Sequence, residues 1–386
     1  MPATQIRVAM VGRYPRTPGK PGGGPEAVAE VLADGLARCG QVEIHFITSV
    51  PGLDSKKIHV TDAGTVVHYL PSYGRFETLT GYWVDSRRIR GELRDIQPDI
   101  VHVHTTLNYA KAALECGYPS ILAVRGIHRR ETPYQRGLSK LQFMLGDLHE
   151  NDAIRRAKHL VFLNKYTMNI VRDLVGDAEV RYIDNPIDDS FFDLTSNEED
   201  GRLLVLGMIR RLKGQEHAIR ALGKLKARGL NVNLYCVGPV HDADYDSEIR
   251  ALIREEGVQH YVHLPGQADR AEAQAQLSKA CILLVPSMVE NAPLVISEAM
   301  AAGKAIVTTP AGGIAEMIEE GRDGMIVPFA DSDAMADAIC TLIENPALRR
   351  QIGTAAKRTA ERRFRLSVSV SKTLDYYSDV MGLSDD

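Results

Sequence analysis

The chain has 386 residues, which is too long for one ordinary hydrophobic core and favours two domains. Hydrophobic residues make up 44% of the chain and charged residues 25%, so the composition indicates neither disorder nor a membrane span. The formal net charge of −4 argues against general nucleic-acid binding. Five scattered cysteines without metal-ligand spacing, and no signal-peptide pattern before the first strand, lead us to expect reduced thiols in a cytoplasmic protein.

Short apolar runs alternate with helical patterns along the first half of the chain. We predict strands at residues 6–12, 42–48, 100–104, 121–124, 159–163 and 180–183. A loop rich in Pro and Gly, with three glycines at residues 22–24, precedes a helix that begins near Pro25 or Glu26 and ends at residues 39–40. Residues 76–97 are predicted to be helical. This alternation is typical of βαβ units and predicts a parallel, doubly wound sheet.

A second alternating series follows a linker. Residues 185–188 are predicted to form a turn, and residues 195–201 a polar, acidic connection. Further strands are predicted at residues 203–207, 232–238, 261–264, 281–285, 305–308 and 325–327. A final helix is expected at residues 366–381. The fold class is therefore α/β, with two similar domains.

The most informative stretch runs from Glu290 to Glu298. A continuous apolar run at residues 281–285 precedes it and predicts a buried parallel strand. Pro293 suits the first position of a helix whose apolar spacing continues to Gly303. One glutamate then lies in a strand-to-helix loop and the other inside the helix, with an anion-binding helix N-terminus between them. These groups suit a nucleotide-sugar, whereas an arbitrary pair of glutamates would more often be a solvated helix face.

Residues 290–301 resemble the signature of the retaining glycosyltransferases of family four, which have the GT-B fold. The resemblance implies two Rossmann-like, doubly wound domains that face each other across a cleft. The expected acceptor-side domain is residues 1–188, with the helix at 365–386 packing back on it, and the expected donor domain is residues 189–364. The implied reaction moves a sugar from a nucleoside diphosphate, UDP or GDP, to a hydroxyl acceptor, with no metal and no cofactor.

The resemblance also implies roles for individual residues. Those expected to act in the transfer are Glu290, Lys213, Arg210 and His104. Those expected to bind the donor are Gly23, Gly24, Arg211, Gly238, Gln267, Asn291, Ala292, Pro293, Leu294, Val295 and Glu298. Those expected on the acceptor side are Arg125 and His128.

One departure from the family pattern follows the first strand of the second domain. Relatives usually have Gly-Arg there and Lys-Gly several residues later, and Lys213 with Gly214 match the second pair. Met208 occupies the arginine position, so Arg210 or Arg211 would supply the missing cation, with Arg210 preferred. The alternative is that these basic residues are an ordinary solvated helix start.

Two histidines alternate at the end of the strand at residues 100–104, so they lie on one face. His104 is at the carboxyl end and is expected to contact donor sugar or acceptor, whereas His102 is expected to be a core histidine. Many relatives have His-Gly where this chain has Arg125-Gly126, so Arg125 is expected to replace that histidine, with His128 nearby.

Several acidic and basic residues have simpler interpretations. Asp242-Ala243-Asp244 has the Asp-x-Asp spelling of metal-dependent transferases, but a solvated loop is favoured. Glu316 matches a family glutamate after a glycine turn, or else provides charge at a helix start. Arg129 and Arg130 are best interpreted as a surface basic patch.

Partners and rival functions follow from the same residues. A saccharide, a lipid-linked acceptor and a small metabolite all fit, and the net charge of +2 over residues 1–190 permits peripheral membrane association. A nucleotide-sugar epimerase, a sugar phosphorylase and a non-catalytic nucleotide-sugar-binding protein are the alternatives.

Overall fold

The structure, a computed structural model, describes residues 5–74, 77, 81–134 and 137–383. Its contacts divide the chain into two compact units. The first unit comprises Met1–Pro186 and Leu366–Asp386, and the second comprises Ile187–Arg365. Among the described residues, no helix combines the length and the apolar character needed to span a bilayer.

The first unit is built on an eight-stranded sheet. Its strands are β1 (Ile6–Val11), β2 (Val42–Pro51), β3 (Lys57–Val60), β4 (Val66–Ser72), β5 (Ile100–Val103), β6 (Ser120–Val124), β7 (His159–Phe162) and β8 (Glu179–Tyr182). The order across the sheet is β3-β4-β2-β1-β5-β6-β7-β8. The sheet is parallel apart from β3, which pairs antiparallel with β4. From β1 the chain thus winds outward first to one side and then to the other, the doubly wound arrangement.

In the described part of residues 1–186, seven helices lie between or after the strands. They are α1 (Gly24–Arg38), α2 (Trp83–Ile96), α3 (Asn108–Leu114), α4 (His128–Glu131), α5 (Gly137–Arg156), α6 (Lys165–Ile170) and α7 (Arg172–Val175). Helix α1 shows why they pack on the sheet, since Val28, Leu32 and Leu36 recur at helical spacing and are at most 2% exposed. Leu32 and Leu36 join the inner residues of β1 and β2 in one core.

Two strands of this unit were missed from the sequence, and one helix was predicted to begin too early. Strands β3 and β4 were not predicted, although the run from Val66 to Leu70 has the β-branched and aromatic character of a strand. The helix predicted at residues 76–97 is shorter, because Gly81 and Tyr82 both have positive φ and α2 begins only after them. Residues 75, 76 and 78–80 lie outside the described part of the chain.

The second unit has a six-stranded, fully parallel sheet. Its strands are β9 (Arg202–Leu206), β10 (Asn233–Val237), β11 (Val262–Gly266), β12 (Ile282–Val285), β13 (Ala305–Thr308) and β14 (Met325–Ile326). Its helices are α8 (Gln215–Ala227), α9 (Ala243–Glu255), α10 (Arg270–Lys279), α11 (Leu294–Ala301), α12 (Ser332–Glu344) and α13 (Pro346–Arg363). The order β11-β10-β9-β12-β13-β14 is that of a Rossmann fold. The prediction of two α/β domains with parallel sheets is confirmed.

The terminal helix, α14 (Leu366–Met381), belongs to the first unit. It packs against α1 so closely that a Cβ on Gly35 would lie 2.6 Å from a methyl carbon of Leu366. Further along, the buried hydroxyl of Tyr377 lies 2.7 Å from Nδ1 of His102 on β5. Close packing at Gly35 therefore holds α14 to α1, and the buried contact of Tyr377 with His102 joins α14 to the sheet.

Candidate functional site

The site in the second unit forms where the winding of the sheet reverses. Strands β9 and β12 are neighbours, with Leu203 opposite Ile282 and Leu204 opposite Leu283. After β9 the chain continues to one side of the sheet, and after β12 it continues to the other. The carboxyl ends of β9 and β12 therefore mark the point where the winding reverses, the usual place for ligands in such sheets.

Two backbone features hold these loops against each other. The N–H of Met288 donates to the carbonyl of Leu212 over 2.9 Å, which joins the two loops directly. Gly214 has a φ of +67°, and a Cβ there would lie 2.1 Å from the carbonyl oxygen of Pro286. Only glycine fits both the conformation and the space, so Gly214 permits the close approach.

Lys213 and Glu290, one from each loop, meet at this edge. The Lys213 Nζ lies 2.5 Å from Oε1 of Glu290, and the two side chains are 27% and 10% exposed. The same carboxylate oxygen accepts a hydrogen bond of 2.8 Å from the hydroxyl of Ser287. Sequence reasoning singled out the ion pair's members separately, but it missed Ser287.

The candidate arginines beside Lys213 have different surroundings. Arg211 is half exposed and makes a surface ion pair of 2.6 Å with Glu248, and its guanidinium lies 5.2 Å from the centroid of the Tyr245 ring. Arg210 is partly buried and immediately precedes the 3₁₀ turn Arg211–Lys213. The carbonyl of Met208, at the position of the family arginine, accepts from Gln215.

Glu298 lies in the second turn of α11, close to a charged pair that sequence reasoning missed. Burial raises the pKa of its carboxyl group to about 7; Arg270 acts in the opposite direction and Asp188 in the same one. Arg270 and Asp188 themselves form an ion pair of 2.8 Å. No local pattern links these three residues, because they come from α11, the start of α10 and the first residues of the unit.

The remaining predicted donor residues surround this edge. Asn291 and Ala292 precede α11, Pro293 is its N-cap rather than its first residue, and Leu294 and Val295 form its first turn. Gly238 follows β10, and a Cβ there would lie 2.1 Å from the carbonyl oxygen of Gly207. Gln267 follows β11 and is exposed. The predicted donor residues of the second unit therefore follow the carboxyl ends of β9–β12, the edge where ligands bind in such sheets.

In the first unit, His104 follows the carboxyl end of β5 and is 3% exposed. Among the described residues neither of its ring nitrogens has a hydrogen-bond partner. Burial, together with the charges of His102 and Arg125, holds the pKa of His104 well below its usual value. The pKa of His102 falls to about 3 through burial and Arg125, so both rings are neutral at neutral pH.

Arg125 follows β6 and donates a hydrogen bond to the side-chain oxygen of Asn185. Burial lowers the pKa of Arg125 to about 10, which leaves the guanidinium charged at neutral pH. His128 is the first residue of α4, and its side chain lies outside the described part of the structure. Gly23 is the N-cap of α1 and Gly24 its first residue.

The acidic motifs lie at the ends of helical segments. The motif at residues 242–244 lies only in part in a loop as predicted, since Asp244 is in the first turn of α9. Asp242 is the N-cap of that helix and accepts from the N–H of Tyr245 over 3.1 Å. Glu316 ends a 3₁₀ turn, Gly312–Glu316, and is exposed. In the part of the chain that the structure describes, no cluster of three His, Cys, Asp or Glu side chains could hold a metal ion.

Comparisons with known proteins agree with this architecture. Residues 186–359 match the family model "Glycosyl transferases group 1", and residues 22–191 match "Glycosyltransferase Family 4". The chain is 26% identical to D-inositol 3-phosphate glycosyltransferase of Arthrobacter sp. (strain FB24), over 91% of this chain and 90% of that protein.

Solved structures show the same fold. Sucrose-phosphate synthase from Thermosynechococcus elongatus superimposes with a TM-score of 0.79 at 18% identity, over 98% of this chain and 100% of that one. HepE from Anabaena in complex with UDP superimposes with a TM-score of 0.72 at 18% identity, over 97% of this chain and 100% of that one. The chain therefore belongs to the group 1 glycosyltransferases and has the GT-B fold.

Proposed function

We propose that this enzyme is a retaining glycosyltransferase that transfers a sugar from a nucleoside diphosphate to a hydroxyl group without a metal ion. The observation that carries the proposal is the contact between Lys213 and Glu290 beside the N-terminus of α11, with Glu298 inside the same helix. This edge combines a cation, a carboxylate and a helix N-terminus, the groups that a charged diphosphate and a hydroxyl-rich sugar require.

The diphosphate is proposed to lie against Lys213 and the start of α11. Its negative charge grows as the sugar–oxygen bond breaks, so a fixed ammonium group stabilises the transition state more than the ground state. Lys213 is partly exposed, and its flexible stem allows it to reach a phosphate oxygen. Arg210, which precedes the same turn, is the proposed second cation.

The two glutamates are proposed to bind hydroxyl groups. Glu290 would accept hydrogen bonds from the donor sugar, and Glu298 from the ribose. Residues 291–295 would offer backbone N–H groups to the sugar and phosphate. Gly238 and Gln267, after β10 and β11, would border the base.

Transfer with retention is proposed to occur on one face of the sugar. The bond between the anomeric carbon and the leaving phosphate oxygen breaks, the acceptor oxygen bonds to that carbon, and its proton passes to the leaving phosphate. Glu290 supports this route, since a carboxylate already ion-paired with Lys213 and hydrogen-bonded to Ser287 is a poor covalent nucleophile.

We propose the donor and the acceptor only as chemical classes. UDP-linked sugars come first because HepE, a protein of the same fold, was crystallised with UDP, and GDP-linked sugars come second. The acceptor is a hydroxyl of a saccharide, a lipid-linked molecule or a small metabolite. Arg125, His104 and the glycines at residues 23 and 24 are its proposed contacts in the first unit.

A donor screen by mass spectrometry tests the proposal. The wild type is incubated with UDP- and GDP-sugars and a panel of hydroxyl acceptors, with and without a chelator, and the anomeric configuration of the product is read by NMR. We expect transfer with retention, undiminished by the chelator and lost in Glu290→Ala. An inverted product, or loss of activity with the chelator, would refute the mechanism, and epimerised donor formed without any acceptor would favour the epimerase.

A further inference from the structure

Ser287 lies at the centre of the site in the second unit, three residues before Glu290. Ser287 is 1% exposed, and its hydroxyl donates to Oε1 of Glu290 over 2.8 Å. The Nζ of Lys213 approaches the same oxygen to 2.5 Å. One oxygen of the Glu290 carboxylate is therefore bound by two donors.

The other oxygen of Glu290 is differently placed. Among the described residues, none donates a hydrogen bond to Oε2. A carboxylate held by two donors at one oxygen has a fixed orientation, and its second oxygen is left to accept hydrogen bonds from a ligand. The site thus presents one acceptor atom in a defined direction.

We propose that Ser287 is a positioning residue, which fixes Glu290 so that Oε2 is presented to the hydroxyl groups of the donor sugar. This inference rests on the proposed function. In that function Lys213 turns to the departing diphosphate, so its contact with Glu290 weakens when the donor binds. The Ser287 hydroxyl is then the bond that keeps Glu290 in place during transfer.

The backbone of Ser287 is held independently of its hydroxyl. Its carbonyl accepts a hydrogen bond of 2.5 Å from the side chain of Thr309, which is 1% exposed. The following residue, Met288, is bonded to the loop of Lys213 through its N–H. The role of the loop and the role of the Ser287 side chain can therefore be separated by mutation.

Ser287→Ala removes the bond to Glu290. Thr309→Val is the matched control, because Thr309 follows β13 and its hydroxyl holds the backbone of Ser287 without touching the carboxylate. Loss of a hydrogen bond to a charged group corresponds to roughly a tenfold loss in rate. We expect kcat of Ser287→Ala to fall about tenfold with the donor KM changed less than about threefold. Thr309→Val should keep kcat within about twofold, and both variants should keep the wild-type circular dichroism spectrum. Ser287→Cys, which keeps a weak donor, should lie between Ser287→Ala and the wild type.

A double-mutant cycle shows whether Ser287 acts through Glu290. In a Glu290→Gln background, Ser287→Ala should lower kcat by less than about twofold. Wild-type kcat in Ser287→Ala, an equal loss in Thr309→Val, or losses that multiply in the double variant would overturn the inference. If the wild type transfers no sugar from any donor, the proposed function itself fails, whereas an active wild type matched by Ser287→Ala refutes only the positioning role.

Discussion

The ammonium group of Lys213 lies 2.5 Å from Oε1 of Glu290, although the two residues are 77 positions apart in the chain. The contact forms because β9 and β12 are adjacent and their following loops are joined through Met288 and Leu212. The topology of the parallel sheet thus brings a cation and a carboxylate together, and neither loop could create the pair alone.

The first prediction concerns this cation. Lys213→Ala should lower kcat/KM by roughly 10²–10³, because it removes the charge that we propose stabilises the leaving diphosphate. Steady-state kinetics with the preferred donor measure the effect. Arg211→Ala is the matched control, since Arg211 lies in the same turn but pairs with Glu248 at the surface. Equal losses in both variants would mean that Lys213 has no special role.

The second prediction concerns the charge of Glu298. Burial raises the pKa of its carboxyl to about 7, and a carboxylate accepts hydrogen bonds from ribose hydroxyls more strongly than a neutral acid does. The wild type should therefore bind the intact nucleotide-sugar more tightly at pH 8 than at pH 6. Isothermal titration calorimetry should show this gain in the wild type and little of it in Glu298→Gln. A gain of equal size in both proteins would exclude Glu298 as its source.

The raised pKa of Glu298 also makes folding depend on pH, but here the protonated carboxyl is the favourable form. The stability that the protonated group contributes is complete below the unfolded value of about 4.5 and is lost as the pH rises through about 7. Thermal unfolding should find Glu298→Gln more stable than the wild type at pH 8 and similar to it near pH 4.5. A lower melting temperature for Glu298→Gln at pH 8 would contradict the assigned ionisation.

Gly214 gives the third prediction. Gly214→Ala should abolish most activity and destabilise the second unit by more than about 3 kcal/mol, since a Cβ would overlap the carbonyl of Pro286 and also adopt an unfavourable φ. Gly229→Ala separates the two causes, because Gly229 has a φ of +80° and open space around it. The free energy of unfolding of Gly229→Ala should be only about 1 kcal/mol below that of the wild type. Urea unfolding followed by circular dichroism compares them, and similar losses in the two variants would show that crowding at Pro286 is unimportant.

The strands that support the site could be predicted from the sequence, because strands buried on both faces leave continuous apolar runs. The run that ends at Val285 is an example, and Glu290 was correctly placed in the loop that follows it. Strand β3 shows the limit, since all four of its residues are exposed and it carries no pattern of burial.

The pairing of distant side chains could not be predicted in the same way. Arg270 and Asp188 approach Glu298 only through the packing of three separate segments, and their spacing in the chain carries no periodic signal. The contact of Ser287 with Glu290 is local, but its meaning depends on Lys213 reaching the same oxygen. Which distant side chains meet depends on the register of the paired strands and on the contacts between loops. Neither is visible in a local stretch of one sequence.

The last prediction concerns a buried polar chain in the first unit, away from the site. Glu92 is 5% exposed, and its Oε1 lies 2.6 Å from both His68 Nδ1 and Lys56 Nζ. His68 Nε2 in turn lies 2.9 Å from His45 Nδ1. Burial alone would raise the pKa of Glu92, but the hydrogen bonds from His68 and Lys56 outweigh it and hold this pKa below its usual value. Its contribution to stability is therefore present above pH 4.5 and is lost as the pH falls through the folded value.

Glu92→Gln should lower the free energy of unfolding of this unit by about 1.5–3 kcal/mol at pH 7, since it removes the charged acceptor shared by His68 and Lys56. The difference from the wild type should shrink toward zero below pH 4. Trp83, the one tryptophan in the sequence, begins the helix that carries Glu92, so its fluorescence during urea unfolding reports on this unit. Glu115→Gln is the matched control, because Glu115 pairs with Arg90 at a partly exposed position of the same unit and should cost less than about 1 kcal/mol. A difference between Glu92→Gln and the wild type that persists unchanged at pH 4 would show that the ionised carboxylate is not its cause.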